Sequence, residues 1–458
     1  PARDLARHGF MRFSNLEGRP GLVEISAIDA TGRSSAGTVL LPLEAFESKH
    51  ITAQDLETGN PARGMSGSLG RGSGDWVLTY RSDVAVESMA FLRTFDGFLT
   101  SIHDRVDGDG VDWYTSMFNP AENVTLASTL RLVNTSLETV EVIIEGIDDA
   151  GQAGESPVVL AIAPLSTREL NSVELEAGTA PGTTGRLGDG VGKWQLRVSS
   201  TGRITVQSLL RGANHRLTNM STHADFDLQP GGARMLWMVP GGWHPSQEAL
   251  VRLVNLSAQP GTVTLRGIDD TGAPSPGTLT VHLPARGGVH LNSGDLERGN
   301  SAKNAQGGLG RGQGNWRIAV DSELTLDLMA FARTPNGFLT TMHDLVDEVA
   351  PGRWRVPMLN PATNTVLSSR LRIVNPGSSA AYVVIRGTDD GGRPGGLGEV
   401  SLAVPAGAAI ELSAVDLEQG NPAKGLVGRL GAGQGKWVLD VESAARLRLV
   451  KTMWGGAS

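Results

Sequence analysis

Along this chain apolar and polar side chains alternate in short runs, the two-residue period of half-buried strands. Residues 113–232 show the pattern clearly. Leu130-Arg131-Leu132-Val133 stops at Asn134, and Val140-Glu141-Val142-Ile143-Ile144-Glu145 runs into Gly146. Val158 to Ile162 is a third run, followed by Pro164. Trp194 to Val198 and Ile204 to Leu209 alternate on either side of Ser199–Gly202 and read as a β-hairpin. Asp148-Asp149-Ala150-Gly151 supplies turn chemistry between runs, because Asp tolerates turn geometry and Gly accepts positive φ. The one helical signal is short: Asp55-Leu56-Glu57-Thr58-Gly59 and its copies read as a single capped turn ending in Gly.

The pattern recurs four times. Trp76, Trp194, Trp316 and Trp437 each close a Gly-x-Gly-x-Trp motif and stand 118, 122 and 121 residues apart. Ahead of each come an Asp-x-x-Gly turn (Asp29, Asp148, Asp269, Asp389) and a Leu-Glu-x-Gly element (Leu56, Leu175, Leu296, Leu417) at nearly fixed distances. Locked spacing of this kind marks tandem copies of one fold. The expectation is all-β: four tandem antiparallel, immunoglobulin-like β-sandwich units of about 115–120 residues. The competing architecture is a β-propeller with two blades per repeat.

The units fall at 1–112, 113–232, 233–352 and 353–458, and they alternate in type. Units one and three share Met-Ala-Phe-x-Arg-Thr-x-x-Gly-Phe-Leu-Thr-x-x-His-Asp (Met89–Asp104, Met329–Asp344), whereas unit two has Leu217-Thr218-Asn219-Met220 there. The order A-B-A-B points to a duplicated pair. Units two and four open on Trp113 or Trp354 followed by Asn119-Pro120 or Asn360-Pro361, a segment without a counterpart in unit one. Unit four reaches Ser458 where the Gly-Phe-Leu-Thr strand is due. One inter-unit connection is thus missing. A trimmed longer polypeptide accounts for this, and so does strand addition between subunits of a polymer.

Composition narrows the partners. Net charge is −8 with both signs interspersed, so no basic stripe is present to track phosphates, and nucleic acid is not an expected partner. No apolar run has the length of a membrane span. The absence of cysteine removes disulfides, thiol catalysis and Cys-based zinc sites.

Candidate chemistry is sparse. The Gly-x-Gly-x-Trp loops lead into strands rather than helices, so they read as turns and not as phosphate cradles. The four motif tryptophans are expected to plug cores. The acids Asp148, Asp149, Asp269, Asp270, Asp389 and Asp390 are the only metal candidates, for Ca²⁺, against turn formation or pairing with the recurrent Arg12, Arg131, Arg252 and Arg372. Unit one has Ala30 in place of the second acid. His103-Asp104 and His343-Asp344 are adjacent pairs whose side chains point to opposite faces of a strand, which defeats a catalytic dyad. No catalytic or cofactor-binding residue is assigned. Trp113, Trp237, Trp243, Trp354, His103 and His343 are the candidates for inter-unit or ligand contact.

The succession Arg-x-Val-Asn, Gly-x-Asp-Asp-x-Gly, Asp-Leu-Glu-x-Gly and Gly-x-Gly-x-Trp resembles tandem repeat modules of secreted and cell-surface proteobacterial proteins, over essentially the whole chain. The resemblance implies an extracellular or cell-surface β-repeat scaffold and carries over no catalytic residue. The expected function is non-enzymatic: a structural or adhesive repeat protein, self-assembling into a filament by strand addition. The alternatives are a glycan-binding module and the accessory region of a larger secreted enzyme.

Overall fold

The computed structural model describes residues 7–455 except 96, 103–108, 213–214, 221–222, 225–233 and 343–350. Its strands form seven antiparallel sheets. In units one, three and four two sheets face one another across an apolar core, and in unit two the two faces belong to one nine-stranded sheet joined through Trp194–Arg211. This is the expected all-β, sandwich-like architecture, and the described residues form no closed propeller or barrel. Among the described residues no helix is long and apolar enough to cross a membrane.

Unit three shows the shared plan. One sheet has the order Gly288–Asn292, Glu248–Asn255, Leu326–Arg333, Leu339–Thr341. The other has Arg234–Pro240, Asn315–Asp321, Gly261–Ile268, Pro274–Leu283, Ala305–Gly307. We call Arg234–Pro240 the lead strand, Glu248–Asn255 the arginine strand, Asn315–Asp321 the tryptophan strand and Leu339–Thr341 the inner strand. Their counterparts in unit two are Gly110–Phe118, Ala127–Asn134, the first part of Trp194–Arg211, and Leu217–Met220. Unit four has Gly352–Leu359, Leu367–Val374 and Trp437–Ser443. Unit one has Arg7–Asn15, Val77–Ser82 and Leu99–Ser101.

The expected hairpin at Trp194–Leu209 does not form. The chain runs straight through as one 18-residue strand whose halves belong to opposite faces of the sandwich. Residues 195–200 pair with 142–147, and 204–211 pair with 127–134. Both halves alternate correctly because each faces the same core from a different sheet. Periodicity alone does not distinguish that crossing from a hairpin.

Recurrent polar residues hold each unit together. The expected capped turns are six-residue helices with capping boxes: Asn292 caps Ser293–Arg298, and the Asp295 carboxylate accepts the Asn292 N–H in return. The buried Asn255 at the end of the arginine strand donates Nδ2 to the carbonyls of Gln259 and Pro284, and its Oδ1 accepts the Ser257 N–H. Asn15, Asn134 and Asn375 repeat this staple.

Two sequence motifs meet at each tryptophan. Indole Nε1 donates to the Glu of the Leu-Glu-x-Gly element: Trp76–Glu57 3.0 Å, Trp194–Glu176 2.7 Å, Trp316–Glu297 3.2 Å and Trp437–Glu418 2.8 Å. The first glycine of each Gly-x-Gly-x-Trp lies under the ring, where a Cβ on Gly190 would sit 2.5 Å from the indole.

The units do not string out; they close. The turn residue after the first Asp accepts a backbone N–H from the next unit at every junction: Thr167 to Ala30, Gly288 to Asp149, Ala409 to Asp270 and Ser48 to Asp390, all at 2.9–3.0 Å. The last of these returns from unit four to unit one. Four sandwiches thus form a circle of equivalent contacts. Inner strands meet at the middle, where Phe98 of unit one and Phe338 of unit three pack with ring centroids 4.4 Å apart. Arg216 of unit two lies 4.0 Å over Phe98, and Thr218 donates to the Leu339 carbonyl at 2.6 Å.

Candidate functional site

The recurrent acids are occupied at the seams between units. In unit two, Asp148 Oδ1 accepts the N–H groups of Ala150 and Gln152, and its Oδ2 accepts that of Val191. Asp149 Oδ2 accepts the Lys193 N–H, and its Oδ1 lies 2.7 Å from Arg252 Nη2 of unit three, an ion pair off the line of a good hydrogen bond. Asp269-Asp270 and Asp389-Asp390 repeat the arrangement, with Arg372 2.5 Å from Asp270 and Arg12 2.6 Å from Asp390. The first carboxylate of each pair is ringed by backbone N–H donors and the second stands between an N–H donor and a guanidinium, the reverse of the oxygen cage Ca²⁺ takes. Among the described residues no group of three or more His, Asp or Glu could hold a metal ion.

Unit one lacks the second acid and solves the seam differently. Asp75, at the position of Lys193, Asn315 and Lys436, reaches Arg131 of unit two at 3.0 Å. The substitution is visible in the sequence only if both positions are compared at once.

The seams are of two kinds. Where a B unit meets an A unit, the arginine is paired across strands with a histidine (Arg12 with His50, Arg252 with His290). Phe91 and Phe331 stack on these imidazoles. Burial, then the charges of Lys436, Arg12 and Arg63, push His50 down to about 3. Burial also holds His290 well below the ordinary imidazole range, helped by Lys193 and Arg252. Where an A unit meets a B unit, glutamates take the histidine positions, Glu169 beside Arg131 and Glu411 beside Arg372.

Of the aromatic candidates, Trp113 and Trp354 are buried in the cores of their own units, and Trp113 donates to the Ile204 carbonyl at 3.0 Å. Trp237 does make an inter-unit contact, lying 4.7 Å under Arg448 of unit four. His103 and His343 lie outside the described residues. Trp243 is different: its side chain is 62% exposed, with Arg311 stacked 4.4 Å over the ring.

Trp243 belongs to a loop that breaks the fourfold pattern. Units two and four continue from the lead strand as Asn-Pro-Ala-x-Asn, whereas unit three has Gly241-Gly242-Trp243-His244-Pro245-Ser246-Gln247. Gly242 keeps the shared anchor, donating its N–H to Glu297 at 2.8 Å as Ala121 does to Glu176 and Ala362 to Glu418. Beyond that anchor the loop borders a polar cleft of about 580 Å³ lined by residues including His244, Glu248, Asn292, Arg298 and Arg333. Glu248 and Arg333, opposed on neighbouring strands, pair in its lining, and Gln247 Oε1 is buried without a partner. His244 stacks on Trp454 of unit four with centroids 6.0 Å apart. Burial lowers its pKa, against the nearby Glu411 carboxylate, which raises it, and with a smaller lowering contribution from Arg370. The cleft carries hydrogen-bonding groups of both signs, the means of holding a polar ligand, and the exposed Trp243 stands in the chain between two of its lining residues, Gly242 and His244. Nothing in the sequence beyond the loss of Asn-Pro marks it.

No family model matches the sequence, and no curated protein matches it. Three solved structures show similarity. One is Thermotoga maritima 1070, at 18% identity over 26% of this chain and 97% of that one, TM-score 0.18. Another is a chain of the Sulfolobus turreted icosahedral virus, at 10% identity over 84% and 88%, TM-score 0.14. The third is a glycoside hydrolase family 32 protein from Bifidobacterium adolescentis, at 8% identity over 98% of each, TM-score 0.13. Scores this low carry no argument about fold or activity.

Proposed function

We propose that this chain is a non-enzymatic structural or adhesive protein of the bacterial cell surface or extracellular space. The supporting observation is where its repeated polar residues go: the acids to the next unit's arginine, the glutamates to the tryptophans. What recurs serves cohesion, as a scaffold requires. Negative-stain micrographs of the purified chain test the reading: rings, alone or joined in regular rows, are expected, and turnover of substrates in a broad hydrolase screen contradicts it.

A second reading, glycan binding, is favoured by the exposed Trp243 beside the polar cleft. A glycan array probed with the protein and with Trp243→Ala is the check. Hits lost in the variant support the cleft, and an array without hits removes it.

A further inference from the structure

Each seam where a B unit meets an A unit gathers its charges around one carboxylate. Between units two and three, Asp149 Oδ2 accepts the Lys193 N–H at 2.8 Å, and Oδ1 stands 2.7 Å from Arg252 Nη2. His290 lies opposite Arg252 on the neighbouring strand. Between units four and one the set recurs. Asp390 Oδ2 accepts the Lys436 N–H at 2.8 Å, its Oδ1 accepts Arg12 Nη1 at 2.6 Å, and His50 lies opposite Arg12.

One carboxylate does not satisfy these groups. Arg252 Nη1, Arg12 Nη2 and the Nδ1 atoms of both histidines are buried without a hydrogen-bond partner among the described residues. Both guanidinium groups are wholly buried. The half-buried Lys193 and Lys436 make no side-chain hydrogen bond and no close ion pair among the described residues. Burial holds both lysines below the ordinary ammonium range; the seam carboxylate opposes this and the seam arginine adds to it. Lys303 and Arg63 act on the same histidines but are taken up elsewhere, 2.7 Å from Asp295 and 3.5 Å from Asp55. Arg333 is likewise held by Glu248. An arginine and a lysine thus face a single carboxylate at each seam, and Lys451 adds its charge to the second.

The seams where an A unit meets a B unit are made the opposite way. Asp75 and Asn315 take the lysine position, and Glu169 and Glu411 take the histidine position. Buried, unpaired Nε atoms occur there too, on Arg131 and Arg372, so an orphan guanidinium nitrogen alone does not mark a site. The lysine and the histidine mark it, together, at two alternate seams.

We infer that each of these two seams binds a small tetrahedral oxyanion, phosphate or sulfate, between the lysine ammonium, the arginine guanidinium and the imidazole. Such an ion accepts hydrogen bonds from several cationic donors at once and supplies the negative charge that the single carboxylate leaves wanting. The donors sit half-buried or buried between two packed units, which suits a free ion rather than a polymer. The inference stands on the seam geometry and is independent of the adhesive and glycan readings.

The test is equilibrium dialysis of the full chain with radiolabelled phosphate in about 100 mM sodium chloride, which screens exposed charges. Lys193→Asn and His290→Glu each import the residue that another seam already carries, so either variant decides the matter if the other fails to fold. About two phosphates per chain are expected at saturation, about one in Lys193→Asn or in His290→Glu, and none in Lys193→Asn with Lys436→Asn, and sulfate should displace them. Three results overturn the proposal: no saturable binding up to about 10 mM phosphate, an unchanged stoichiometry in the double variant, or displacement by added chloride as readily as by sulfate.

Discussion

Three of the four seam arginines, Arg12, Arg252 and Arg372, are fully buried, so each depends on one carboxylate of the preceding unit. Removing Asp149 leaves the Arg252 guanidinium, 0% exposed, without its counter-ion. Asp149→Ala is expected to cost about 3–5 kcal/mol in urea unfolding, and Arg252→Met in the same chain to recover much of it. Asp75→Ala should cost about 1 kcal/mol or less, because that pair is reached by water. The buried histidines set a pH dependence. His50 is neutral in the folded chain down to about pH 3, whereas an unfolded histidine takes up its proton near 6.5. Between these values the unfolded state binds more protons, so stability falls as pH drops through 6.5 and continues falling toward 3. At pH 5 the loss is about 2 kcal/mol for His50, and His290 adds to it in the same direction. Melting temperatures of His50→Leu across pH 4–8 should show a shallower acid decline than the parent. A parallel decline would remove the histidine from the explanation. At this scale the sequence was partly legible. Pairing of the tandem acids with the recurrent arginines was readable as one alternative to calcium. The joining of Glu57, Glu176, Glu297 and Glu418 to the tryptophans was not, because partners 18 or 19 residues apart on a helix and a strand share no period.

Elements repeat because their ends are specified identically. Each capped turn, each Asn staple and each Gly-x-Gly-x-Trp appears in fixed order, and that order made the strands and the sandwich readable from sequence. The crossing at Ser199–Gly202 was misread as a hairpin because alternation reports only which side chains face the core, never from which face of the sandwich. The Asp-x-x-Gly turn does two tasks, and a pair of variants separates them. Gly151 has φ +82° and its missing Cβ would lie 2.1 Å from the Ala285 carbonyl oxygen of unit three. Gly182 has φ +74° with nothing within 4 Å of its missing Cβ. Gly182→Ala measures the backbone cost alone, about 1 kcal/mol. Gly151→Ala should cost several times that, by about 3 kcal/mol or more, because it also pushes the next unit away. Equal losses in the two variants would mean that the turn does not hold the seam.

At the scale of the whole molecule, four copies in one chain achieve a circle that separate subunits would otherwise have to assemble. Each seam repeats one backbone hydrogen bond and one ion pair, and opposite units touch through Phe98 and Phe338, so the centre is filled. Fourfold repetition was plain in the sequence; closure was not, because nothing local in the chain says that Asp390 must find Arg12. That return contact is the central claim, and small-angle X-ray scattering of the full chain in solution tests it most directly. A closed, filled ring of 458 residues has a radius of gyration near that of a compact globule, about 23–27 Å. The account predicts a value in that range with a single-peaked distance distribution. Four sandwiches in a row, each roughly 35 Å across, would give about 40 Å and a long tail, and that result would contradict it.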